Sequence, residues 1–164
     1  MTKVFPFRAW RYSAKAGPPA DLVTQPYDKI PPELRDSYYS ASPYNVVRLV
    51  KRKDEADVYE GAARTLKDWT AQGILEQDAE PGFYAYFQEF RHPDSDRVFT
   101  RKGFIGLLEV EDYSAGVVHR HELTHSGPKL DRLELTRHTK AHFGQLFMLY
   151  DDPQATVDRL LDDA

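Results

Sequence analysis

The clearest periodic pattern of hydrophobic residues lies within residues 54–72. Its apolar positions are three or four residues apart and comprise Val58, Tyr59, Ala62, Ala63, Leu66 and Trp69. This spacing predicts an amphipathic helix, and Gly73 is suited to end it. We expect Trp69 to lie in the core, on the apolar face of this helix.

Three further helices are predicted from weaker signals. One covers residues 32–41, because proline and an acidic residue suit a first helical turn. Another starts near Pro128 with Ser126 as its N-cap, and apolar spacing continues it through residues 130–143. A terminal helix is expected over residues 153–161.

Aromatic and β-branched residues predict the strands. Residues 83–90 and 98–111 are rich in both and flank a polar turn at residues 92–96, which predicts a long hairpin over residues 83–111. The other strands are predicted at residues 4–12, 22–25, 44–50 and 146–150. Helices intermixed with strands and one hairpin predict an α+β fold with a mixed or antiparallel sheet and packed helices.

Length and composition narrow the class of protein. We expect residues 1–164 to form one α+β domain, and the absence of cysteine excludes disulfides and thiolate zinc sites. No signal-like segment or membrane-length apolar run is present, so we expect a cytoplasmic protein that does not associate with membranes. The net charge of -4 gives no overall cationic field, which disfavours general nucleic-acid binding.

Residues 117–132 hold the densest group of side chains able to carry protons, phosphate or metal. Because such crowding is typical of functional sites, we take this segment as the candidate site. Lys129 and Arg132 fall in the first turn of the helix predicted here, where free N–H groups favour an anion, so they are candidates to bind a nucleotide phosphate. Alternatively, Asp131 only stabilises the helix start and both cations are solvated.

Four acidic or basic side chains are the candidate catalytic residues: His121, Glu122, Asp131 and Asp28. His121 and Glu122 would supply a base, or else form a turn pair that bonds to the backbone. Asp28, in the turn Pro26-Tyr27-Asp28, would bind Mg²⁺ or accept a proton, or only shape the turn. We expect the histidine and glutamate to share one cleft with the two cations.

Residues 121–125 match H-E-x-x-H, in which His121 and His125 would hold zinc and Glu122 would act as a base. That chemistry needs a helix, and the following Ser-Gly-Pro at residues 126–128 interrupts one. Longer zinc-protease signatures place a third histidine where this chain has Arg132. A zinc metallopeptidase is therefore the least favoured function, no zinc is expected, and no residue is assigned as a metal ligand.

Five motifs occur together along the chain. They are F-R-A-W-R-Y at residues 7–12, P-Y-D at 26–28, S-P-Y-N-V-V-R-L at 42–49, W-x-x-x-G at 69–73 and H-E-x-T-x-S-G-P-K-x-D-R-L at 121–133. In this order they resemble the amino-terminal part of the bacterial and archaeal family labelled domain of unknown function 1015, whose members are often described as ParB/RepB-like. Gln25 and Lys29 depart from the family's P-P-Y-D-V turn, and His125 is not part of its pattern.

The resemblance implies a larger protein. Family members continue into a second half with a D-G-H-H-R motif, similar to the phosphate-contacting motif of ParB-type nucleotide-binding proteins and free-serine kinases. The chain would then be the amino-terminal half of a ParB/sulfiredoxin-like nucleotide- or phosphate-binding protein, a small-molecule kinase using Mg²⁺ when complete. The alternative is a non-catalytic binding or interaction module. Expected partners are a carboxy-terminal domain and a small phosphorylated ligand.

Overall fold

The computed structural model describes residues 2–120 and 125–163, without the side chain of Glu55. The described residues form two compact units. The first unit draws on Met1–Ala9, Ala79–Arg120 and Gln145–Ala164, and the second draws on Trp10–Asp78 and His121–Gly144.

Helices and strands are intermixed along the described residues, which confirms the predicted α+β class. The strands are β1 (Val4–Phe5), β2 (Trp10–Tyr12), β3 (Leu75–Gln77), β4 (Tyr84–Arg91), β5 (Val98–Ile105) and β6 (Leu107–Leu108). The helices are α1 (Pro32–Ala41), α2 (Val47–Val50), α3 (Val58–Ala71), α4 (Ser126–Thr139) and α5 (Thr156–Asp162). Short 3-10 helices include Tyr27–Lys29 and Glu55–Asp57.

The first unit is built on the predicted hairpin. Strands β4 and β5 pair antiparallel, from Tyr84 opposite Ile105 to Arg91 opposite Val98. The predicted second strand is divided at Gly106, after which β6 pairs with β1. A Cβ atom at Gly106 would lie 3.0 Å from the Phe83 ring and 3.2 Å from Val4 Cγ1, so a larger residue here would displace these side chains. An ion pair between Lys102 and Asp162 joins β5 to α5.

The second unit encloses the core around Trp69. Its buried hydrophobic cluster consists of Ala16, Leu22, Leu49, Trp69, Ile74 and Leu75. The Trp69 ring centroid lies 6.0 Å from those of Tyr12 and Tyr44, and only 4% of the residue is exposed. The predicted helix over residues 54–72 is thus confirmed as α3, with Trp69 in the core. Strands β2 and β3 pair antiparallel beside it.

The predicted strand at residues 44–50 is wrong, because this segment turns into α2. The Asn45 side chain is fully buried; its Oδ1 accepts from the Val47 backbone N at 2.9 Å. Its Nδ2 donates to the carbonyls of Asp21 at 2.7 Å and Val23 at 3.3 Å. These bonds hold the backbone in a turn, so tertiary hydrogen bonding overrides the β propensity of the valines and leucine.

Two other predicted strands do not form, and one predicted helix has different ends. Residues 22–25 form no strand, since the carbonyls of Leu22 and Val23 accept from Val46 N and Asn45 instead. Residues 146–150 also form no strand, and none of the described strands pairs with them. Helix α4 begins at Ser126, with His125 as its N-cap, and ends at Thr139, followed by the C-cap Lys140, whose φ is +54°.

Within the described residues, no helix is both long enough and apolar enough to cross a membrane.

Candidate functional site

Lys129 occupies the end of the first turn of α4. It is the fourth residue of the helix, its side chain is exposed, and its backbone N–H donates to the His125 carbonyl at 3.2 Å. The N–H groups of Ser126 and Gly127 precede this first intrahelical bond, and the helix dipole places partial positive charge there. Lys129 therefore adds a full positive charge to a helix end that already favours an anion.

Arg132 lies in the second turn of α4 and not in the first, because the helix begins at Ser126, two residues before Pro128. Its guanidinium is stacked over the Tyr27 ring, with Cζ 3.9 Å from the ring centroid. Nη2 donates to the Val50 carbonyl at 3.1 Å, and Nε donates to Asp131 Oδ2 at 3.0 Å. These contacts leave Nη1 as the nitrogen with no acceptor among the described residues. Arg132 is thus half-buried and held in one orientation.

Asp131 connects two helices and does not act as a first-turn acid. Its carboxylate accepts from the Tyr59 hydroxyl of α3 at 3.0 Å and pairs with Arg132 of α4. Burial and then the hydrogen bond to Asp131 raise the pKa of the Tyr59 phenol. The Tyr59 ring also stacks on the His138 ring, with centroids 5.6 Å apart. Asp131 is the sixth residue of α4, and no acidic residue lies in the first turn of this helix.

The Pro-Tyr-Asp turn reaches the same cluster through Tyr27. This turn forms the short 3-10 helix Tyr27–Lys29, in which Tyr27 is half-buried and Asp28 is exposed. Asp28 has no ion-pair partner within residues 2–120 and 125–163, so its carboxylate faces solvent without a cation. The contact between Tyr27 and Arg132 brings together two of the sequence motifs, the turn at residues 26–28 and the segment around α4.

His121 and Glu122 lie outside the described residues. Their predicted cleft with Lys129 and Arg132 therefore stays a prediction, as does the expected absence of zinc. His125 precedes α4 as its N-cap, so the helix begins after the H-E-x-x-H motif ends. Over the described ranges, no group of three or more His, Asp or Glu side chains is arranged to hold a metal ion.

Tyr59 is the residue of this cluster that the sequence pattern did not single out. Its spacing assigns it to the apolar stripe of α3, and its half-buried ring agrees with that assignment. The sequence feature that could have identified Tyr59 is its hydroxyl, because a tyrosine at the edge of a core usually needs a hydrogen-bond partner.

Comparison with known proteins identifies the family of this chain. A family model described as "Protein of unknown function (DUF1015)" matches residues 4–164, which is nearly the whole chain. The chain belongs to this family. The match confirms the resemblance inferred from the five motifs. No curated protein and no solved structure matches this DUF1015 chain. Since the family's description carries no reaction, we infer the function from the geometry around α4.

Proposed function

We propose that this chain is the phosphate-binding part of a ParB/sulfiredoxin-like nucleotide-using protein, which transfers phosphate to a small molecule with Mg²⁺ when complete. The observation that carries the proposal is the stacking of Arg132 on Tyr27. This contact joins the turn that contains the exposed carboxylate of Asp28 to α4, the helix that contains the exposed Lys129. Phosphoryl transfer depends mainly on such placement of charge around phosphate and Mg²⁺.

Each side chain has a defined role in this proposal. Lys129 and the first N–H groups of α4 bind a phosphate oxygen. Arg132, oriented by Asp131 and by the Val50 carbonyl, offers Nη1 to the same anion. Asp28 binds Mg²⁺ or accepts the proton of the substrate hydroxyl. His121 and Glu122 are proposed to complete the proton-transfer groups.

The proposal predicts that Lys129→Ala weakens ATP binding about fivefold, the effect of one charge-assisted hydrogen bond at an exposed site. Because Lys129 is exposed, its removal leaves folding unchanged. Isothermal titration of ATP, with and without Mg²⁺ and at two salt concentrations, measures the affinity, which should fall as salt rises. A longer form of the protein is titrated in parallel.

Arg137→Gln is the matched control, since Arg137 lies on the same helix, is exposed and pairs with Glu134. It removes one positive charge away from the proposed site and should bind ATP as the unmodified protein does. Equal affinities of Lys129→Ala and unmodified protein would contradict the proposal. So would an absence of ATP binding in both forms of the protein.

A second candidate function is an interaction module, and the surface of the β4–β5 hairpin favours it. Tyr86 and Phe90 point to one face of the hairpin, and Phe87 and Val98 point to the other. All four are at least 40% exposed. Exposed apolar groups on both faces of a two-stranded sheet are typical of surfaces that a partner covers.

The interaction module predicts that Phe87→Ser together with Val98→Ser weakens binding of the separately produced carboxy-terminal part of the parent protein. A loss of at least tenfold is expected, since two large apolar contacts are removed. Val110→Ser serves as the control because Val110 is 96% exposed and lies outside the hairpin. Equal affinity of the double variant and the control, measured by titration calorimetry, would exclude this role for the hairpin.

A further inference from the structure

A group of arginines surrounds the backbone at the end of α2. Arg52 Nη1 donates to the Arg48 carbonyl at 3.4 Å, and Arg132 Nη2 donates to the Val50 carbonyl at 3.1 Å. Arg35 Nη1, from α1, donates to the Arg52 carbonyl at 3.4 Å. Three guanidinium groups from different elements of the second unit therefore converge on one five-residue segment.

Two of these arginines form no direct ion pair. Among the described residues, no carboxylate pairs with Arg35 or Arg52, although the charge of Arg35 contributes to lowering the pKa of the Asp36 carboxyl. Asp36, next to Arg35 in the chain, pairs with Lys53, and that hydrogen bond is the main cause that lowers the pKa of the Asp36 carboxyl. The Nε atoms of Arg35 and Arg52 are buried with no acceptor in the described part of the chain. Buried charged donors are normally hydrogen-bonded, so both guanidinium groups retain unused hydrogen-bonding capacity.

Gly61 shows that α3 is built to accept the Arg52 guanidinium. A Cβ atom at Gly61 would lie 2.6 Å from both Cζ and Nε of Arg52. Thr65, one turn later on α3, accepts from Arg52 Nη1 at 3.1 Å. A glycine inside a helix lowers helix stability relative to alanine, and here its backbone conformation is ordinary. The missing side chain serves to seat the guanidinium.

We propose that Arg35 and Arg52 bind a second phosphate group of the ligand whose first phosphate binds Lys129 and Arg132. This inference rests on the proposed function and narrows its ligand class to compounds with two or more linked phosphates, such as nucleoside di- or triphosphates. Arg132 and Arg35 donate to the carbonyls of Val50 and Arg52, which are two residues apart, so both guanidinium groups lie at the same short segment. No described residue accepts a hydrogen bond from Nη2 of Arg35 or from Nη2 of Arg52. These two nitrogens donate to the second phosphate.

The number of phosphates in the ligand tests this inference. Orthophosphate, pyrophosphate and tripolyphosphate are titrated into unmodified protein, Arg35→Gln, Gly61→Ala and the control Arg137→Gln. Unmodified protein should bind tripolyphosphate at least about tenfold more tightly than orthophosphate, since the longer anion meets both groups of cations. Arg35→Gln and Gly61→Ala should lose most of that gain, while Arg137→Gln should keep it.

Gly61→Ala is the sharpest variant because it changes no charge. The new methyl group displaces the Arg52 guanidinium, and the gain in helix propensity opposes any loss of stability. Its melting temperature, measured beside the titrations, shows that folding is retained. Arg35→Gln tests the same site independently of α3.

The outcomes separate this inference from the proposed function. If Arg35→Gln and Gly61→Ala keep the full gain for tripolyphosphate while Lys129→Ala binds every probe more weakly, the second phosphate site is overturned and the proposed function stands. If unmodified protein binds neither ATP nor any of the three anions, both are overturned. The second phosphate site is supported if Arg35→Gln and Gly61→Ala both lose the gain in affinity for tripolyphosphate while their affinity for orthophosphate stays unchanged.

Discussion

Replacing Trp69 with alanine is expected to lower the free energy of unfolding by about 3–5 kcal/mol, the range for large aromatic residues removed from a core. Trp69 is 4% exposed and lies between the Tyr12 and Tyr44 rings. Its removal leaves a cavity beside Leu49 and Ile74 that surrounding side chains fill only in part. Urea denaturation followed by circular dichroism gives the change.

Trp10→Ala is the matched control, because Trp10 belongs to the same unit but is 51% exposed. It should cost less than about 1 kcal/mol, as substitutions away from the core do. Equal losses of stability in the two variants would show that Trp69 does not have the buried position described for it.

The second large effect is expected for Asn45→Ala, which should lower the free energy of unfolding by about 3 kcal/mol. Asn45 is fully buried and donates to the carbonyls of Asp21 and Val23 while accepting from Val47 N. Alanine leaves all three backbone groups without these partners, and buried polar groups without partners are costly. Urea denaturation again measures the change.

Ser40→Ala provides the comparison for Asn45. Ser40 is exposed and its hydroxyl bonds only to the Asp36 carbonyl one turn earlier on α1, so its loss should change stability by no more than about 0.5 kcal/mol. An effect of Asn45→Ala as small as this would contradict the role assigned to its three hydrogen bonds.

Asn45 also shows where prediction from sequence ends. The helix over residues 54–72 and the hairpin over residues 83–111 were predicted because their signals are local: apolar spacing in one, aromatic and β-branched runs around a polar turn in the other. Residues 44–50 carry an equally strong local signal for a strand. Their conformation is fixed instead by the bonds of Asn45 to Asp21 and Val23, about twenty residues away. No periodicity encodes such pairing.

The candidate site, like the fold, is only partly predictable from the sequence. The residue types and motifs indicated Lys129, Arg132 and the turn containing Asp28, and the structure joins that turn to α4. The start of α4 was misplaced by two residues because proline is tolerated throughout a first turn, and helix ends are the least certain boundaries. That shift moved Asp131 and Arg132 into the second turn.

The arginines at the end of α2 gave no signal in the sequence. Arg35 lies in the predicted helix over residues 32–41, and Arg52 lies between two predicted elements, where single arginines are ordinary solvated residues. Their role depends on three segments that meet at the carbonyls of residues 48–52, and on Gly61 of α3, which lies against the Arg52 guanidinium. Only the tertiary structure reveals these relationships.

We expect the start of α4 and the turn at residues 27–29 to bind Mg²⁺-ATP together. Amide chemical shifts of isotope-labelled protein, recorded while Mg²⁺-ATP is added, test it most directly. Saturable shifts should concentrate at Ser126, Gly127 and Lys129 and at residues 27–29, together with the Nε–H of Arg132. Absence of shifts at these positions, or saturable shifts confined to the β4–β5 hairpin, would contradict it.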